Sequence, residues 1–167
     1  MSKILPQYFF TRSALQIAPD LIGKTLVVRT KEGIRRSVIT EVEAYNGEND
    51  KANHASKGRT SKTEVMYHEG GYLYVYLVYG MYHMLNVVVD KNDYPAAILI
   101  RSTSEMQGPG RLTKQLGIDM SYHGKKLGKV NGVWIEEGIE MKTKRMPRIG
   151  VDYAGKWASK KWRWLAK

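Results

Sequence analysis

From Tyr72 to Val78 the chain alternates without a break, with tyrosines at 72, 74 and 76 and aliphatic residues at 73, 75 and 77. A period of two belongs to a β-strand, whose successive side chains point to opposite faces. The aliphatic face then packs on a core, and the tyrosine face is left for something else. Tyr79-Gly80-Met81 reads as a tight turn, and Tyr82 to Val89 continues with apolar character, so this region is a hairpin with a bulky tip. A second hairpin joins Thr25–Arg29 to Ser37–Ala44 through Lys31-Glu32-Gly33. Ala96–Ile100, ending at Arg101, and Val133–Glu136 add two more strands. These connections are too short for parallel crossovers, so the sheet should be largely antiparallel.

Helices are few and short. Thr11–Ile17 reads as one, with Thr11 as its cap, and Pro19 opens a second turn that Gly23 ends. Gly108 to Gly117 has a glycine-proline start, a short helix and a glycine stop. A glycine-rich helix N-terminus can hold an anion, and Arg111 stands there to help. The expected fold class is α+β: one mixed domain over residues 1–167, with a largely antiparallel sheet, hairpins and short helices. No repeat, linker or low-complexity segment divides the chain.

Composition limits the chemistry. There is no cysteine, which excludes disulfides, thiol nucleophiles and cysteine metal sites. The four histidines show no ligand spacing, so no metal is expected. Nucleotide-hydrolysis, dinucleotide-binding and hydrolase-elbow motifs are absent, and no cofactor is expected. The net charge of +11 favours a polyanionic partner. No stretch is apolar enough to cross a bilayer, and the first residues hold no secretory signal, so a cytoplasmic location is expected. Membrane binding through the tryptophan- and lysine-rich tail from Trp157 to Lys167 lacks a sustained amphipathic pattern.

Against this basic background, Ile39 to His54 carries Glu41, Glu43, Glu48 and Asp50. Alternation puts Glu41, Glu43 and Tyr45 on one strand face and Val42 and Ala44 on the other. Asn46-Gly47 is a turn that brings His54 back towards them. Glu43 could deprotonate a water, with Glu41 raising the pKa of one of the pair. A solvated strand edge would show the same periodicity. Tyr45, Tyr76 and His54 could stack on a planar ligand. Tyr79 and Met81, at the hairpin tip, could wedge into a base stack. Lys57, Arg59 and Lys62 lie in a long polar loop suited to phosphate contact.

Three blocks together resemble the alkyladenine (3-methyladenine) DNA glycosylase family. They are Thr40-Glu41-Val42-Glu43-Ala44-Tyr45 with His54, Leu73 to Tyr82 with Asn86, and Leu99-Ile100-Arg101 followed by Gly108-Pro109-Gly110-Arg111-Leu112. A fourth, weaker block is Pro147 to Val151 with Gly155-Lys156-Trp157-Ala158. The resemblance implies a metal-free monomeric enzyme, associated with the nucleoid in a prokaryote, that flips alkylated or deaminated purines out of double-stranded DNA and hydrolyses the N-glycosidic bond. It implies Glu43 as general base and Arg101 beside it. Tyr45, His54 and Tyr76 would contact the flipped base, Asn86 would crowd the pocket against guanine, and Tyr79 would fill the gap, with Met81 on the same hairpin. The chain departs from the family pattern at Ser61-Lys62, at Tyr67-His68-Glu69 and at Asp152. The same fold also resembles the C-terminal domain of formyltransferases, so a non-catalytic nucleic-acid-binding module is the alternative. Glu43 separates the two, because a carboxylate in a polyanion site repels phosphate.

Overall fold

The computed structural model describes residues 2–167. Its eight strands are β1 (Thr25–Thr30), β2 (Gly33–Asn46), β3 (Leu73–Val78), β4 (Tyr82–Val88), β5 (Ala96–Thr103), β6 (Val133–Glu136), β7 (Thr143–Met146) and β8 (Arg163–Ala166). They form one sheet in the order β3-β4-β5-β2-β1-β6, with β8 paired to both β2 and β7. Every strand pairing is antiparallel, as the short connections require. Two α-helices, α1 (Ala14–Leu21) and α2 (Pro109–Leu116), complete the α+β architecture with several short 3-10 turns.

The long strand β2 is the organising element. Its first part pairs with β1, from Thr30↔Gly33 to Thr25↔Val38. Its second part has neighbours on both sides: Glu43 lies opposite Leu99 of β5 and Arg163 of β8. The carboxylate face is therefore central in the sheet, not at an edge. Val42 and Ala44, on the opposite face, are fully buried in the core with Ile98 and Ile100 of β5 and Ile17 and Leu21 of α1. Burying a side chain such as Ile17 or Leu21 contributes about 1.5–3 kcal/mol, so this core face fixes the register that aims Glu43 the other way.

Two local expectations are corrected. The cap of α1 is Ser13, which forms a reciprocal capping box with Gln16, while the Thr11 hydroxyl bonds to the Tyr8 carbonyl. Ser13 wins because its partner three residues on can reach back. Pro19 lies inside α1 instead of opening a new turn; the apolar stripe of Ala14, Ile17, Ala18 and Leu21 is buried as a unit and holds the helix through it. α2 begins and ends as its punctuation requires, with Pro109 in the first turn and Gly117 left-handed at the close. β7 and β8 were not expected: β7 lies in a basic stretch, and β8 in the tryptophan- and lysine-rich tail.

Candidate active site

Glu43 is fully buried, yet its carboxylate is well served. The Tyr45 hydroxyl donates to Oε1 at 2.9 Å, and the backbone N–H of Ile149 donates to Oε2 at 2.7 Å. Arg101 Nη1 stands 3.6 Å from Oε1. Burial raises the Glu43 pKa above the ordinary carboxylate value; Arg101, the Ile149 N–H, Tyr45 and Arg163 pull it down without cancelling that effect. The expected cause, repulsion from Glu41, is corrected. Glu41 is held by Arg163, with Nη1 to Oε2 at 2.9 Å, and by the Ser102 hydroxyl, which donates to Oε1 at 2.9 Å.

Arg101 reaches both glutamates because β5 is irregular there. The register runs Glu41↔Ser102 and then Val42↔Ile100, leaving Arg101 without a partner. Such a bulge lets consecutive residues reach the same side of the sheet. Arg101 Nε lies 3.4 Å from Glu41 Oε2, beside the Ser102 contact.

Tyr45, which bonds the carboxylate, also lines a cavity of aromatic rings. Tyr45, Asn53, His54, Tyr74, Tyr76 and Asn86 line it, with Ala52, Met66 and Ala97. His54 and Tyr76 pack edge to face with ring centres 4.5 Å apart, and His54 Nδ1 lies 2.9 Å from the Tyr74 hydroxyl. Asn53 positions His54: its side chain caps the following turn and donates to the carbonyls of Gly47 and Pro95. Asn86 is buried, with its amide donating to the Tyr74 carbonyl at 3.1 Å. Burial, then Lys62 and Lys57, lower the His54 pKa, so the ring is neutral around pH 7. The cavity measures about 20 Å³, room for one water.

The β3–β4 hairpin presents Tyr79 and Met81 to solvent at 89% and 64% exposure. Tyr79 and Gly80 both have positive φ, 53° and 66°. Just behind the tip this hairpin docks on α2: a Cβ at Gly110 would come 2.8 Å from the ring of Tyr82, the first residue of β4. Arg111 and Lys114, both exposed, line the groove beside that contact.

Comparison with known proteins decides the relationship. A family model described as methylpurine-DNA glycosylase matches residues 8–107 and 103–167. Proposed 3-methyladenine DNA glycosylases are similar over nearly their whole length. The one from Methanocella arvoryzae is 40% identical over 98% of this chain and 92% of its own. That from Myxococcus xanthus is 43% identical over 95% and 88%, and that from Legionella pneumophila 39% over 98% and 94%. The chain belongs to the methylpurine-DNA glycosylase family. It is thereby a DNA glycosylase of base excision repair, with DNA as its partner.

In this family member the structure gathers Tyr45, His54, Tyr76 and Asn86 around one cavity, links Glu43 to it through the Tyr45 hydroxyl with Arg101 beside the carboxylate, and sets Tyr79 and Met81 apart on the hairpin tip. Lys62 stands at the same place, its ammonium 5.9 Å from the Tyr76 ring centre. Arg59 is the exception. Its guanidinium is bidentate on Glu64, at 2.7 and 2.8 Å, and bonds Asp93 at 3.1 Å. It also stacks on Tyr67. Arg59 therefore ties its loop to Glu64 and to Asp93 in the turn before β5, and a phosphate would have to displace these carboxylates to reach it.

Sequence reasoning missed two residues of the candidate site, Tyr74 and Arg148. Tyr74 had a visible signal, since it shares the alternating face with Tyr76. Arg148 had none. It forms a fully buried bidentate pair with Asp50, at 2.6 and 2.9 Å, and donates to the carbonyls of Ala44 and Trp157. That pair pins the segment whose next residue, Ile149, holds Glu43. Among the described residues no group of three or more metal-ligating side chains is gathered, and no helix is long and apolar enough to cross a membrane.

Proposed function

We propose that the protein is a monofunctional glycosylase that flips an alkylated or deaminated purine from duplex DNA and hydrolyses its N-glycosidic bond. The observation that carries this reading is Glu43: a buried carboxylate of raised pKa bonded to Tyr45, one of the rings that line the cavity, in a chain of net charge +11. A binding module gains nothing from such a group, whereas a general base does.

A base inside a duplex is out of reach, so the nucleotide must leave the stack. Tyr79, with Met81 behind it, enters the vacated space and offsets part of the unstacking cost. The flipped purine parts the rings of the cavity, which close on each other without it. An alkylated purine carries positive charge and is attracted to the ring faces of Tyr45 and Tyr76. The neutral His54 does not repel it. Asn86, held rigidly by its amide bonds to β3, crowds the exocyclic edge of the base. Water then attacks C1′ and gives its proton to Glu43. The electron pair of the C–N bond leaves with the base, so a cationic alkylated purine departs neutral, a neutral deaminated purine also takes up a proton from solvent as it leaves, and an abasic site remains on an unbroken strand. Arg101 screens the carboxylate and the phosphates near it. Lys62 and Arg111 contact the backbone on either side, all from a single monomer.

The test is release of free base from duplexes carrying defined modified purines, without added metal. The wild type should release 3-methyladenine, and Glu43→Gln should bind an abasic-site duplex but release nothing. Undiminished release by Glu43→Gln would refute the mechanism; an inactive wild type on every modified duplex would turn the reading to a binding module.

A further inference from the structure

Glu41 and Arg163 are each held at more than one atom. Glu41 Oε2 receives Arg163 Nη1 at 2.9 Å, and Oε1 receives the Ser102 hydroxyl at 2.9 Å. Arg163 is anchored in turn, with Nε donating to the Pro147 carbonyl at 2.8 Å. Ser102 Oγ accepts the Gly108 N–H at 3.1 Å. Every polar atom of Glu41 is thus tied to a strand or to the start of α2.

Arg101, by contrast, is poised. It lies 3.4 Å from Glu41 and 3.6 Å from Glu43, and its buried Nε makes no hydrogen bond. A buried arginine between two carboxylates ordinarily closes on one of them in a bidentate pair. Here it bonds neither. An arginine closed on Glu43 would occupy the lone pairs that must take a proton from water. An arginine closed on Glu41 would leave Glu43 in an apolar site without a counter-charge.

We propose that Glu41, clamped by Arg163 and Ser102, is a positioning residue that holds Arg101 astride the two carboxylates and keeps Glu43 free to act as a base. This rests on the glycosylase reading for its consequence but not for its geometry. The groups facing Glu43 are Glu41 and Tyr45 from β2, Arg101 from β5, Arg163 from β8 and Tyr76 from β3. Removing the two members of the clamp then acts in opposite senses. Glu41→Gln removes a negative charge and lets Arg101 close on Glu43. Arg163→Met removes a positive charge and leaves Glu41 to draw Arg101 away.

The experiment follows single-turnover base release against pH for the full chain, together with the carboxyl titration of Glu43 in ¹³C-glutamate-labelled protein. Glu41→Gln should move the Glu43 titration and the acid limb of the rate down by about half a unit or more, and lower the plateau about tenfold, since a better-paired carboxylate is a weaker base. Arg163→Met should move both up by a similar amount, with Arg163→Lys intermediate. Affinity for an abasic-site duplex should stay within about twofold of wild type in each case. A purely structural role would lower the folded fraction and shift neither limb. Displacement of both variants in the same sense, or of neither, would overturn the proposal. Opposite shifts in the Glu43 titration, in a wild type that releases no base, would uphold the clamp and refute the glycosylase reading instead.

Discussion

The backbone N–H of Ile149 donates to Glu43 Oε2 at 2.7 Å, across 106 residues of sequence. Glu43 sits on the central strand, and Ile149 sits on a segment outside any strand. The two meet because the buried Arg148–Asp50 pair ties that segment to the loop after β2. The carboxylate is therefore completed by a part of the chain that bears no catalytic side chain of its own.

On the proposed mechanism the raised pKa of Glu43 should set the acid limb of activity. The base works only when ionised, so the rate falls about tenfold per pH unit below that pKa. The midpoint should lie above the ordinary value of 4.5, because burial outweighs Arg101 and the hydrogen bonds. The same shift has a stability sign. A carboxyl whose pKa is higher folded than unfolded favours the fold when protonated, and loses that contribution as pH rises through the folded value. Glu43→Gln mimics the protonated form and should melt at or above the wild-type temperature near pH 8. A clear drop in melting temperature there would place the lost hydrogen bonds ahead of burial.

The Arg148–Asp50 pair is fully buried, so removing one partner strands the other. Arg148→Met should cost about 3–5 kcal/mol in urea denaturation, and Asp50→Asn should be comparable. The double replacement should cost less than the sum, because no charge is left unpaired. Activity should fall further than stability, since the Ile149 contact to Glu43 goes with the pair. An additive double mutant would deny the coupling.

Phosphate contacts can be counted by salt. The logarithm of DNA affinity falls with the logarithm of salt concentration by about 0.9 per phosphate neutralised. Lys62→Ala and Arg111→Ala should each reduce that slope by about 1. Arg59→Ala should leave the slope unchanged and affect the loop instead, because Glu64 and Asp93 already occupy the guanidinium. A slope lowered by Arg59→Ala would show that the ion pairs open on DNA.

Which of these features could be read from the sequence follows from the range of the interactions. β3, its hairpin and α2 were legible because alternation, turn residues and a glycine stop are local signals. Glu43, Tyr45 and His54 were legible as a group because one strand and one turn connect them. Whether that strand lay at an edge or at the centre was not, since periodicity is the same in both cases. β8 settles it, and β8 shows no period of its own. Arg148 and Arg163 lie in two basic segments where no local signal marks which arginines will be buried. The bulge that frees Arg101 depends on a register shift between strands far apart in sequence. Arg59 shows the converse: a polar loop with basic residues suggests phosphate, but only the fold reveals that acidic neighbours arrive first.

Tyr79 should be a stability sacrifice at the point of contact with DNA. Its φ of 53° is left-handed, where a bulky side chain is strained, and the ring is 89% exposed with nothing to pack on. Gly80 follows at φ 66°, so the turn has positive φ at both positions, which Asn-Gly favours. Tyr79→Asn should therefore stabilise the protein by about 0.5–1 kcal/mol. The same change removes the wedge, so affinity for an abasic-site duplex should drop about tenfold or more. Thermal melting and duplex titration on one variant decide both halves. Higher stability with unchanged affinity would assign the wedge to Met81; lower stability would mean that the tyrosine packs on the hairpin in solution. Only the combination of gain and loss identifies a side chain kept for the duplex and not for the fold.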